Sequence, residues 1–91
     1  MKDLTTFEHA FITIVAEKVD ALGMRQSVFA NKVFGDTSGT RIWRKLRSRD
    51  EYRALGIQEA YTIAEVLGIP LPTLVFDVLH EAKARGMIKP D

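Results

Sequence analysis

An all-α fold is the class this sequence predicts, and three observations predict it. Apolar residues recur at the i, i+4, i+7 spacing of a helix in stretch after stretch. No stretch alternates apolar and polar residues as a half-buried strand does. Glycines at 23, 35, 68 and 86 stand where successive apolar stripes end. The chain has 91 residues, 46% of them hydrophobic, which suffices for one core and makes a single domain spanning 1–91 the expectation.

Phe7, Phe11, Ile14, Val15, Val19 and Leu22 form the buried stripe of a first helix, about 5–22, with Thr5 and Glu8 as its capping box and Gly23 as its stop. A second helix, 26–34, turns Val28, Phe29, Val33 and Phe34 inward and ends at Gly35. The turn sequence DTSG follows, and the hydroxyl of Ser38 or Thr37 is expected to cap a third helix, 38–48. Beyond the polar stretch SRDEYRALG, anchored by Tyr52 and Leu55, the core spacing of Ile57, Ala60, Ile63, Ala64 and Leu67 defines a fourth helix, 57–67. Pro72 is expected at the first position of a fifth, 72–85, where proline's missing amide would be unpaired in any case. Leu74, Val75, Val78 and Leu79 give that helix its apolar side.

The charge is unevenly placed. The formal net charge is +1, yet residues 25–53 carry eight cations and three anions, a local +5, and the rest of the chain carries −4. Five of those cations, Arg41, Arg44, Lys45, Arg47 and Arg49, fall within nine residues that contain no acid. An ordinary exposed helix mixes signs to gain i, i+4 pairs, so a one-sign face on an otherwise acidic body points to an anionic partner.

Successive residues on a helix turn by about 100°. Ile42, Trp43 and Leu46 therefore share one side of the third helix, while Arg41, Arg44, Ser48 and, if the helix reaches it, Thr37 face away. Such a helix has the chemistry to lie in a DNA major groove. Arginine's planar fork donates two parallel hydrogen bonds to guanine O6 and N7, and the hydroxyls of Thr37, Ser38 and Thr40 serve a base or a phosphate. Arg41 and Arg44, with Lys45 beside them, are the groove-facing set; Lys45, Arg47, Ser48 and Arg49 suit the phosphate backbone. Trp43 is expected in the core, with its indole N–H in need of an acceptor.

Other classes find little footing. The chain has no cysteine and only two histidines, His9 and His80, so a thiolate metal site is excluded and neither a metal nor a cofactor is expected. No nucleophile accompanies either histidine, and GDTSGTR lacks the lysine and preceding strand of a phosphate loop, so an enzyme is not expected. No apolar run approaches the roughly 20 residues of a membrane span. Acids near the N-terminus do not suit a signal peptide, and the reading is a cytoplasmic protein with no small-molecule ligand.

The order LGMRQSVFANKVFG, turn, cationic helix, then IQEAYTIAEVLGIPLPTLVFDVL resembles the lambda-repressor-like, Cro-type helix-turn-helix family of bacterial and phage transcription regulators. The resemblance runs from about Phe7 to Leu79 and rests on Gly23, Met24, Gln26, Ala30 and IAEVLG at 63–68. It implies a five-helix DNA-binding domain whose third helix reads the major groove, with Ala30 small where the second and third helices cross. It also implies that Gln26 reaches the DNA backbone beside the amides of the second helix's first turn. Trp43 lies thirteen residues beyond Ala30, about three more than the family's pattern, so the turn around GDTSG is longer. Arg25 replaces the usual hydroxyl cap before the glutamine, which suits phosphate contact, and Arg47 replaces an acid that often closes the recognition helix.

The function expected on these grounds is sequence-specific binding of double-stranded DNA by a transcription regulator of the phage-repressor kind. A homodimer on an inverted repeat is expected, with Phe76 on the fifth helix as the dimer contact. The alternative is a protein-binding adaptor, such as an antitoxin or anti-repressor, that turns the same basic face to an acidic partner.

Overall fold

The computed structural model describes residues 6–48 and 54–90, and these form five helices: α1 (Phe7–Ala21), α2 (Gln26–Phe34), α3 (Gly39–Arg47), α4 (Ile57–Leu67) and α5 (Leu71–Ala84). There is no strand among the described residues. The all-α expectation holds, and the bounds of α2 and α4 fall where the sequence puts them.

Helix ends differ in detail. Thr6, not Thr5, is the N-cap of α1, its hydroxyl accepting from the His9 amide at 3.1 Å. Glu8 instead accepts from the Leu55 amide at 2.8 Å, so the expected capping carboxylate ties the segment before α4 to α1. One half of a capping box occurs at α4, where Glu59 accepts from the Gly56 amide at 2.9 Å while Gly56, lacking a side chain, returns no bond. Helix α5 begins one residue early, at Leu71, which moves Pro72 to the second helical position, where its missing amide is equally harmless. Ser38 occupies the N-cap position of α3 without a side-chain cap bond, correcting the expected hydroxyl cap. Tyr52 lies outside the described residues.

The core is one cluster. Phe11, Ile14, Val15 and Val19 of α1 pack with Phe29 and Ala30 of α2, Trp43 and Leu46 of α3, Ile63 and Ala64 of α4, and Leu74 and Val78 of α5. Four residues assigned inward by spacing lie outward: Ile57 is 83% exposed, Leu22 60%, Val28 40% and Val75 36%. Ile57 and Leu22 sit at helix ends, which overhang the packed layers. Ala10 and Ile12, which the stripe on α1 omits, are buried.

Helices α1 and α5 pack together, and an ion-pair clamp closes one end of that contact. Arg85, just past α5, donates to both carboxylate oxygens of Glu17 at 2.7 and 2.8 Å, and its Nε donates to Glu81 at 2.7 Å. The hydrogen bonds from Arg85, reinforced by its charge and opposed by partial desolvation, hold the Glu17 carboxyl below its ordinary range. A depressed carboxylate pKa gives stability that is complete above the unfolded value and is lost as pH falls through the folded one. The groups are largely exposed, so the clamp is worth a few tenths to about 1 kcal/mol. Thermal unfolding of wild type and Glu17→Gln should therefore differ measurably at pH 7, and the difference should shrink as the pH falls through and below the ordinary carboxylate range.

Candidate nucleic-acid interface

Helix α3 is seated on α2 by small residues and then by large ones. Gly35 ends α2 with φ of 101°, a conformation that side chains rarely adopt, and its carbonyl accepts from the Gly39 amide at 2.9 Å across the intervening turn. At Gly39 the backbones nearly touch. A Cβ there would lie 2.6 Å from the Ala30 carbonyl oxygen and 2.9 Å from Asn31 Oδ1. The expectation that Ala30 marks a close crossing holds, and its counterpart on α3 is a glycine that spacing did not single out.

One turn further along, Trp43 fills the space the crossing leaves. It is 1% exposed, meets Phe29 edge-on with ring centroids 5.1 Å apart, and stacks with Phe34 at 6.2 Å. Its indole N–H donates to Gln26 Oε1 at 2.7 Å, which supplies the acceptor the sequence left open. Leu46 is buried beside it, and Ile42 is half-buried against the same core.

This seating turns the other side of α3 to solvent. Thr40, Arg41, Arg44, Lys45 and Arg47 are exposed on the helix, and Thr37 is exposed in the turn before it. Ser38 and Ser48 are half-buried at the two ends, Ser48 in extended backbone as the C-cap. Among the described residues, neither Arg41 nor Arg44 forms an ion pair. Arg44, Lys45 and Arg47 stand in the last turn, where cations complement the helix dipole. Arg41 has no such structural reason for its charge. The Arg47 guanidinium lies over the Trp43 ring, 5.9 Å from its centroid, a cation–π contact.

Two further members of the expected site are placed by α2. Arg25 is exposed at its N-cap and makes no side-chain cap bond. Gln26 corrects the expectation of a side chain free to reach phosphate. Its Nε2 donates to the Ala16 carbonyl at 2.8 Å and to Asp20 Oδ1 at 2.9 Å, while its carbonyl holds Trp43. Both donor hydrogens are therefore engaged inside the protein. Arg49 lies outside the described residues.

The chain matches no protein-family model, no curated protein and no solved structure.

Phe76 is far from this set along the chain, on α5, and is 68% exposed. It stacks with His80, ring centroids 6.5 Å apart, and borders a groove between α1 and α5 that includes Ile14, Lys18 and Ala21. Among the described residues, no three histidine or acidic side chains gather to hold a metal ion, and no single helix is long and apolar enough to cross a membrane.

Proposed function

We propose that the protein is a sequence-specific double-stranded DNA-binding transcription regulator, of the phage-repressor kind, that lays α3 in the major groove. The observation that carries this reading is the two-sidedness of α3: Gly39, Trp43 and Leu46 are buried while Arg41 and Arg44 project, exposed and without ion pairs among the described residues. A groove-reading helix needs that division, because a rigid inward face fixes where the outward forks point. Arg41 and Arg44 are assigned to base edges, with Thr40, Thr37, Ser38 and Lys45 around them. Arg25, Arg47, Ser48 and Arg49 are assigned to phosphates. The first-turn amides of α2 remain suited to a phosphate even though the Gln26 side chain is engaged.

A single such domain covers about one half-site, so the regulator is proposed to bind an inverted repeat as a homodimer, with half-sites about 34 Å apart and Phe76 in the contact. Selection from a random duplex pool tests this. The retained strands should carry an inverted repeat, and log affinity should fall with log salt by about 0.9 per neutralised phosphate. Phe76→Ser should keep half-site recognition and lose the preference for paired half-sites. Retention of duplexes without sequence enrichment, or none even at low salt, would overturn the proposal and direct the search to acidic protein partners.

A further inference from the structure

We infer that Gln26 is a positioning residue: through Trp43 it sets the seat of α3, and with it the aim of Arg41 and Arg44, and it does not contact phosphate. The second half of this statement rests on the DNA-binding reading above; the first half does not.

One side-chain amide joins three helices. Gln26 opens α2, both its N–H groups are taken by α1 at Ala16 and Asp20, and its oxygen receives the indole N–H from the middle of α3. Trp43 is shielded from water, so the acceptor that fixes its ring must come from the protein. No other amide or carboxylate side chain is bonded to it among the described residues. The ring in turn lies against Phe29 and Phe34, so any roll of α3 must break the 2.7 Å bond or disturb both aromatic contacts. Arg44 follows Trp43 directly in sequence, about 100° further round the helix and on its exposed side. Because bidentate hydrogen bonds weaken steeply over a few tenths of an ångström, a small roll at Trp43 misaims the forks on the outer face.

The chemistry also argues against phosphate contact. A neutral amide meets an anion through its N–H groups, and here both point into α1. Its remaining polar atom is an acceptor, which a phosphate oxygen repels.

Two measurements on the full chain separate the alternatives, using wild type, Gln26→Met and Trp43→Phe. The first needs no DNA: hydrogen exchange of the Trp43 indole proton in wild type and Gln26→Met, and of the α3 amides in all three proteins. Positioning predicts that the indole in Gln26→Met, and the α3 amides in both variants, exchange on the order of tenfold faster while α5 amides are unchanged. Unchanged α3 protection overturns the inference. General acceleration across α1 and α5 also overturns it, since the residue then supports only the fold.

The second compares binding to a selected duplex with binding to a scrambled one across a salt series. Both variants should lose selectivity on the order of tenfold, equivalent to one misaligned base contact, with the salt slope kept. Trp43→Phe leaves Gln26 in place, so equal losses in the two variants mark a shared route through the indole. A slope reduced by about 0.9 in Gln26→Met alone, with selectivity retained, would identify a phosphate contact and overturn the inference. Should wild type select no duplex, the DNA-binding reading fails, and the exchange measurement alone decides whether Gln26 positions α3.

Discussion

Gly39→Val is expected to unseat α3 and to lower the domain's stability by about 3 kcal/mol, the upper part of the range for overpacking a tight site. Even the Cβ common to every other residue would lie 2.6 Å from the Ala30 carbonyl oxygen and 2.9 Å from its carbon. Both are backbone atoms in the middle of α2, so they yield only if the two helices separate. Separation would in turn open the packing of Trp43 on Phe29 and Phe34. For a chain of this length, 1 kcal/mol corresponds to roughly 4–8 °C in melting temperature, so a fall of more than about 10 °C is expected by calorimetry. Gly39→Ala should show the same direction at about half the size. A stability equal to wild type in Gly39→Ala would mean that the backbones of α2 and α3 do not meet at this position.

The second large effect is functional and leaves the fold alone. Arg41→Ala and Arg44→Ala change exposed side chains without ion pairs among the described residues, so each should alter stability by no more than about 0.5 kcal/mol. On the selected duplex each should cost about 1–3 kcal/mol of discrimination, and the double variant should bind selected and scrambled duplexes with nearly equal affinity. Lys45→Ala and Arg25→Ala supply the contrast. Arg25→Ala, which removes a cation assigned to phosphate, should weaken binding to all duplexes alike and reduce the salt slope by about 0.9. Lys45, at the edge of the groove-facing set, should fall between these limits. Anisotropy titrations at several salt concentrations measure both quantities together.

These two effects divide as the legibility of the sequence does. The outward set on α3 is readable because a 100° turn per residue fixes which side opposes Trp43 and Leu46, and burial agrees. The bounds of α2 and α4 are readable because Gly35 and Gly68 end them abruptly. Neighbouring caps are not: Thr5 and Thr6 offer the same hydroxyl, and Pro70 and Pro72 bracket Leu71, so local chemistry leaves the starts of α1 and α5 open by a residue or two. Nor does periodicity say how far a helix end overhangs its neighbours, which is why Ile57 and Leu22 share the angle of the core without its burial.

What spacing conceals most is the engagement of polar side chains over long separations. Gln26 meets Ala16 ten residues back and Trp43 seventeen residues on, and Arg85 meets Glu17 across sixty-eight. Glutamine at a helix start has the same sequence signature whether it faces a phosphate or an indole. The need of a buried Trp43 for an acceptor is the available clue, and it names no partner.

The central claim, that the outer face of α3 is what meets DNA, is tested most directly by following backbone amide NMR signals during titration with a duplex selected from the random pool. The largest changes should gather at Thr37, Thr40, Arg41, Arg44 and Lys45, with smaller ones at Arg25 and the first turn of α2, while Ile57 and Tyr61 on α4 stay still. Saturable changes centred on α4, or no changes on α3 at a duplex concentration that saturates binding, would contradict it.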